Sequence, residues 1–264
     1  RIARKITKQQ SELLQCANRE QLRICGDLLQ ANLYRIERGA PFAEVENYYD
    51  ADGKTIRIKL NPAISPAANA QKYYKDYQKA KNAEAILGGQ IEKGKAELEY
   101  IESVIDEVSR AETERELSQI REELTEQGYL HIRKGKQKPL SQLPPHEFES
   151  SDGFKILVGR NNRQNDKLTL KTASKNDMWL HTKDIHGSHT IIFADGREIS
   201  DTAIIEAARL AAYHSKARNS SQVPVDYTLV RYVSKPTGAK PGMVIYVNNK
   251  TVYVSPSCDG RNYK

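Results

Sequence analysis

"PAANAQKYYKDYQKAKNAEAILGGQIEKGKAELEYIESVIDEV", residues 66–108, decides the fold. Tyr73, Tyr77, Ala80, Leu87, Ile91, Leu98, Ile101, Ile105 and Val108 recur at alternating spacings of three and four, with Glu84 and Gly94 filling the two imperfect positions. That spacing predicts one long helix carrying a heptad seam. At about 1.5 Å per residue it would reach roughly 65 Å, crossing most of the molecule. Ser65 is placed to cap it and Pro66 suits its first turn. Gly88-Gly89 is where it would break, since each glycine costs about 1 kcal/mol against alanine.

A single apolar stripe needs a partner. Ile2, Ile6, Leu13 and Cys16 carry a matching stripe at the start of the chain. Between the two lies a small module: an amphipathic helix over 19–38, stopped by Gly39 and Pro41, and strands over 44–49 and 54–60 around Asp52-Gly53. Residues 1–17 are expected to run up to this module and the long helix to run back. A second, acidic helix over 112–127 brings Leu117, Ile120 and Leu124 as partial cover, leaving the seam most open between Ile91 and Val108. The uncovered stripe, and a first residue that is Arg1, point to a fragment of a longer chain.

Gly128 ends the helical part. Tyr129 to Ile132 is a short strand candidate, followed by a basic linker with Arg133, Lys134, Lys136, Lys138, Pro139, Pro144 and Pro145. Strand candidates then fall at 154–158, 178–182, 189–193, 225–233, 243–247 and 251–254, with an alanine-rich helix over 201–217 and a hairpin turn at Asn248-Asn249. The expected fold is α+β. Residues 1–128 form a helical coiled-coil arm with a small α/β module, 19–64, at its tip. Residues 129–264 form a compact α+β domain with a mixed sheet.

Net charge is +7, unevenly spread. Residues 1–128 hold 20 Lys+Arg and 22 Asp+Glu, whereas residues 129–264 hold 21 and 12. A basic module beside a near-neutral one suggests a polyanionic partner such as nucleic acid, or simply a solvated surface. Mean hydropathy is −0.69, and no stretch approaches a membrane span. Cys16, Cys25 and Cys258 lack disulfide-framework and zinc spacing, and read as reduced thiols.

Three polar clusters carry candidate chemistry. In "DGFKILVGRNNRQND", 152–166, a strand exits through Gly159 into Arg160, Asn161, Asn162, Arg163, Gln164 and Asn165, with Lys167 just beyond. Arginine forks onto phosphate, and amides present donors and acceptors to sugars and base edges. The plainer alternative is a solvated loop whose amides cap a turn, with Asn165 or Asp166 as the cap. In "DMWLHTKDIHGSHTII", 177–192, strand alternation puts Trp179 and His181 on one face, near Ser188 and His189. The indole is either a stacking platform for a base or core. His181, His186 and His189 lack an adjacent cysteine, so no metal is expected. Asp177 or Asp184 with a histidine lacks a nucleophile or P-loop, so neither cofactor nor catalysis is expected. "SKPTGAKPGMV", 234–244, offers Lys235 and Lys240 on a glycine-bearing turn, as a phosphate holder or a connector. Arg160, Asn162, Arg163, Asn165 and Lys167 are expected to share one exposed face with His181, Ser188 and His189.

These clusters, with "EAARLAAYHSKAR" at 206–218, resemble the RNA-binding domain of the NFACT family in content and order. "CGDLLQANLY", 25–34, and "NAQKYYKDYQKAKNA", 69–83, resemble its middle coiled coil. The resemblance covers nearly all of the chain, with the family's N-terminal domain absent. It implies a cytoplasmic ribosome-associated quality-control factor, acting on a large subunit that carries an obstructed nascent chain. Such a factor recruits tRNA, alanyl-tRNA in bacteria, for mRNA-independent tailing, while the ribosome supplies the chemistry. It places the small module against the ribosomal stalk base and the basic domain, including Trp179, Lys235 and Lys240, near RNA. A competing implication is a fibronectin-binding adhesin with a cell-surface pool.

Overall fold

The computed structural model describes residues 1–131, 142–258 and 261–262, the side chains of Gln15, Arg261 and Asn262 apart. The chain divides into two compact units, Arg1–Leu98 and Glu99–Lys264.

In the first unit, α1 (Ile2–Cys16) and α2 (Arg19–Ala31) precede a 3-10 turn at Leu33–Arg35 and the antiparallel hairpin β1 (Phe42–Glu46) and β2 (Thr55–Lys59). The long helix α3 runs unbroken from Pro66 to Arg110, through Gly88-Gly89. Ser65 Oγ accepts from the Ala68 amide at 3.2 Å, so the expected cap is in place. Leu28 and Leu29 of α2, Val45 of β1, Ile58 of β2 and Ala70 of α3 form one core. Strand alternation delivers Ala43 and Val45 to it while Phe42, Glu44 and Glu46 face out. The α1 stripe meets α3 where Gly94 leaves room for Ile6, and Gln9 bonds to Gln90 nearby.

In the second unit the last turns of α3 pair with α4 (Glu114–Glu126). A capping box starts α4: Thr113 Oγ1 accepts from the Glu116 amide, and Glu116 accepts from the Thr113 amide. The buried α3 residues here are Tyr100, Val104, Asp106 and Glu107, with Ile101 half-buried. The heptad seam therefore does not continue: Ile105 is 62% exposed and Val104 only 4%. The buried face is rotated by about one residue, because α4 presents polar Glu116, Gln119 and Glu123 around Ile120.

A seven-stranded sheet follows in the order β10-β7-β5-β6-β4-β3-β11. Its strands are β3 (His146–Glu149), β4 (Lys155–Val158), β5 (Met178–Thr182), β6 (Thr190–Ile192), β7 (Val223–Leu229), β10 (Lys250–Val254) and β11 (Arg261–Asn262). Two shorter strands, β8 (Val233–Ser234) and β9 (Ile245–Tyr246), make a separate ribbon. Every pairing is antiparallel, which corrects the expected mixed sheet. The helical connections α5 (Asn162–Lys167, with a π turn over Leu168–Thr172) and α6 (Asp201–Tyr213) do join parallel strands, β4 to β5 and β6 to β7. An oppositely directed strand lies between each such pair, so parallel strands are never neighbours.

Period-two alternation covers both faces of the sheet. Ile156, Val158, Leu180 and Ile192 pack under α6, while Leu157, Trp179 and Ile191 pack on the other face with Leu168, Val230 and Val233. Asn248 turns with φ 55°, but β9 pairs with β8 and β10 with β7, so the expected hairpin does not form. Tyr129–His131 form no strand, because the Tyr129 amide closes the end of α4 on Leu124 O; Ile132 and the linker cations Arg133 to Lys138 lie outside the described residues.

Candidate nucleic-acid interface

The stretch after β4 is a helix, not a loop, and its side chains are mostly spent. Asn161 Oδ1 caps α5 by accepting from the Gln164 amide at 3.0 Å, and Gln164 Oε1 accepts from the Arg160 amide at 3.0 Å. Asn165 Oδ1 accepts from the His189 amide at 3.0 Å and lies over Gly159, where a Cβ would collide with it. Asp166 accepts from the Gly242 amide at 3.1 Å and pairs with Lys235. Asn165 thus ties the exit of β4 to the start of β6, and the Asp166 carboxylate ties it to the turn at 234–244.

The outward half of α5 is fastened to α3 and α4. Arg160 meets Glu116 at 2.6 Å. Asn161 Nδ2 donates to Gln119 and Asn162 Nδ2 to Ser103 Oγ, both at 3.0 Å. The Arg163 amide donates to Glu123 at 3.3 Å, and its guanidinium lies 3.4 Å from Glu126 and 3.9 Å from Glu122. Arg110 reaches Ser188 Oγ at 3.3 Å. Lys240 donates to Gln127 at 3.1 Å and sits 4.9 Å from the Tyr129 ring centre.

The carboxylates of this clasp are not equivalent. Burial pushes Glu116 up, but the Glu112 amide and Arg160 outweigh it and hold the group below the usual carboxylate range. Burial raises Glu123, opposed by the hydrogen bonds it receives from Tyr100 and the Arg163 amide. Burial and the nearness of Glu123 raise Glu107 well above the usual range.

Trp179 and His181 do share a face, with rings stacked at 5.7 Å and 15°. Trp179 is wholly buried: Tyr246 lies 4.7 Å from it and the edge of His189 at 5.3 Å. No face of the indole is open to a base, so of the two readings it is core. His189 Nδ1 pairs with Thr169 Oγ1 at 2.8 Å. Burial lowers His181 to about 4 and takes His189 well down, so both imidazoles are neutral near pH 7. Around them is a cleft of about 480 Å³, which Trp179 also lines and in which the indole N–H meets no acceptor among the described residues.

The expected shared exposed face is therefore corrected. Asn162, Asn165, Ser188 and His189 are buried, as are Asn161 and Trp179. Arg160, Arg163, His181, Lys235 and Lys240 are half-buried, and Lys167 alone of the twelve candidates is exposed. The physical reason is that amides at a strand exit satisfy neighbouring backbone groups more readily than they wait for a ligand. Sequence reasoning missed Lys171, one turn after Lys167; both border, with Arg163, a hollow of about 260 Å³. It also missed Glu116 and Glu123, for which the capping-box pattern at Thr113 to Glu116 was the available signal. Lys175, Lys183 and Lys216 are further exposed cations. Among the described residues no group of three or more His, Cys, Asp or Glu is arranged to hold a metal ion, and no helix is long and apolar enough to cross a membrane.

Two family models match. One, described as the NFACT N-terminal and middle domains, covers residues 1–142; the other, described as the NFACT protein RNA binding domain, covers residues 145–248. The first description includes N-terminal sequence, so the expectation that this part of the family is absent holds only in part. A Bacillus subtilis protein named Rqc2 homolog RqcH is 48% identical over 97% of this chain and 45% of its own length. A Streptococcus suis protein of the same name is 42% identical over 97% of this chain and 46% of its own length. The chain thus spans a little under half the length of these relatives. A solved structure described as the C-terminal part of the fibronectin/fibrinogen-binding protein from Streptococcus suis is 35% identical, with TM-score 0.68, covering 98% of this chain and 92% of that one.

Proposed function

This chain belongs to the NFACT family, and from that premise we propose that it binds RNA on the large ribosomal subunit in ribosome-associated quality control. The observation that carries the reading is the match of residues 145–248 to an RNA-binding domain, within a half of the chain holding 21 Lys+Arg against 12 Asp+Glu. The relatives named Rqc2 homolog RqcH, matched over nearly the whole chain, support it.

In this reading the exposed lysines meet phosphates and release counterions, while the buried amides and rings hold the surface in shape. The hairpin module of the first unit docks at the stalk base. Its exposed aromatic residues suit a contact, with Arg57 3.5 Å over the Phe42 ring and Arg23 5.2 Å over Tyr49. The chain positions tRNA, alanyl-tRNA in a bacterium, for tailing without mRNA. It performs no bond chemistry itself and needs no cofactor, and it works in the cytoplasm.

The test is co-sedimentation of the chain with purified large subunits across a salt series. Binding that weakens steeply and log-linearly with salt is expected. Absence of the chain from the subunit pellet at low salt overturns the proposal. A second reading, fibronectin binding, is favoured by the description of the solved relative. It gains ground only if fibronectin is retained at physiological salt and is not displaced by ribosomal RNA.

A further inference from the structure

Beside Arg160 lies a further cleft, of about 500 Å³, that the clasp does not fill. Arg110, Arg160, Arg218, His146, His214 and Glu107 converge on it from α3, β3, the entrance of α5 and the end of α6. We propose that this cleft binds a nucleoside monophosphate unit, its phosphate against the Arg218 guanidinium and its base beside the His146–His214 pair.

Four observations carry this. The volume suits a nucleotide rather than a water, since small-ligand sites run from about 300 to 1,000 Å³. His146 and His214 form a tilted pair with ring centres 4.7 Å apart and 32° between planes, two aromatic rings beside which a base can lie. Two buried polar atoms in the cleft, Glu107 Oε2 and His214 Nε2, have no hydrogen-bond partner among the described residues, and such orphans call for one. Among the described residues Arg218 is the guanidinium here without a carboxylate: it donates to the Tyr213 hydroxyl at 3.0 Å and lies 4.7 Å over that ring.

The local charge agrees. Glu116 is held by Arg160, Asp106 by Arg110 at 2.8 Å, and Glu147 by Lys155 at 2.9 Å. Glu112 is exposed to solvent. Burial, then the nearness of Glu123, raises Glu107 well above the usual carboxylate range, which favours its uncharged form. Burial takes His146 to about 4, helped by Arg160 and Arg110. It takes His214 to about 3, helped by His146, Arg110, Arg218 and Arg160. The neutral rings sit in a positive field that an anion would relieve.

The inference rests on the RNA-binding reading for its ligand class, but its probe needs no ribosome. Adenosine monophosphate is titrated into the intact chain by calorimetry, beside adenosine and inorganic phosphate. Saturable binding is expected, weakened at least tenfold by Arg218→Ala at unchanged melting temperature, and weakened similarly when the phosphate is omitted. A 5′-phosphorylated RNA oligomer that displaces the nucleotide, where its 5′-hydroxyl counterpart does not, assigns the site to an RNA end; failure of both to displace it assigns the site to a free nucleotide. No binding at millimolar nucleotide, or equal binding by folded Arg218→Ala, overturns the proposal. Co-sedimentation with large subunits by Arg218→Ala at parental levels leaves the RNA-binding reading standing in either case.

Discussion

The two stretches of α3 obey different rules. Up to Leu98 the helix buries Ala70 and Ile91 in the register the heptad spacing sets, and beside them Asn69, whose side chain bonds to the Asn61 backbone at the helix entrance. From Glu99 onward it buries Tyr100, Val104, Asp106 and Glu107, one residue out of that register. The difference lies in the partner. Around Ala70 the covering groups are the aliphatic side chains of α2 and the hairpin. Around Glu107 they are the carboxylates of α4 and the amides of α5, and a polar partner selects a polar face. A helix therefore cannot be assigned a buried face from its own apolar period where its neighbour supplies hydrogen bonds.

The sharpest way to break this comparison is a pair of adjacent substitutions. Val104→Asp puts a third carboxylate beside Glu107 and Glu123 in a buried site and should destabilise by about 3–5 kcal/mol. Ile105→Asp, at a position the heptad spacing assigns to the seam, should stay within about 0.5 kcal/mol. Denaturant unfolding of both variants measures it. Equal losses would restore the heptad register.

Much of the framework is legible because it depends on local chemistry. Ser65 and Pro66 announce the start of α3, and the alternation of Ile156, Leu157 and Val158 announces a strand covered on both faces. The pairing of Trp179 with His181 follows from strand geometry alone. The site is less legible. Nothing apolar recurs in Arg160 to Lys167, so the segment reads as a loop, although capping and long-range amide bonds make it a helix. Whether Asn165 faces solvent or the His189 amide depends on β6 lying next to β4, a nonlocal fact. β3 escapes notice for a similar reason: of His-Glu-Phe-Glu only Phe148 is fully buried.

The next largest effect is expected at Arg160. Arg160→Ala leaves the part-buried Glu116 without its 2.6 Å partner and should cost about 1–3 kcal/mol. Differential scanning calorimetry would register this as a lower melting temperature. An exposed RNA contact would leave melting unchanged, so a silent result would favour the face that the sequence suggests.

The buried acid pair gives a pH signature. Glu107 has a folded pKa raised above its ordinary 4.5, so the folded state holds the proton more tightly than the unfolded state. Its contribution is full below pH 4.5 and is lost as pH rises through the folded value. Glu107→Gln removes that loss, so the variant should gain stability relative to the parent as pH increases. The histidines act with the opposite sign. His146, lowered to about 4, and His214, lowered to about 3, stabilise the fold above pH 6.5 and cease to do so as pH falls through those values. Parallel stability curves for parent and Glu107→Gln above pH 4.5 would show that Glu107 is charged in the fold.

The smallest effect on the fold should come from the cations that remain outside the clasp. Lys167 and Lys171 are exposed, one turn apart, and border a shallow hollow with Arg163. Exposed charges contribute little to stability, so the double alanine variant should melt within the error of the parent. Its RNA binding is another matter. Each lysine withdrawn from a phosphate takes about 0.7 to 0.9 off the slope of log affinity against log salt, so the double variant should flatten that slope by roughly 1.5. Arg160→Ala should instead lower stability and leave the slope nearly as it was, because its guanidinium already faces Glu116 and the Pro144 carbonyl. The two variants together separate the groups that hold the surface from the groups that meet the polyanion. If the double lysine variant kept the full salt slope while Arg160→Ala flattened it, the clasp would have to open on RNA. The buried amides of α5 would then be released to meet the polyanion, as the sequence suggests.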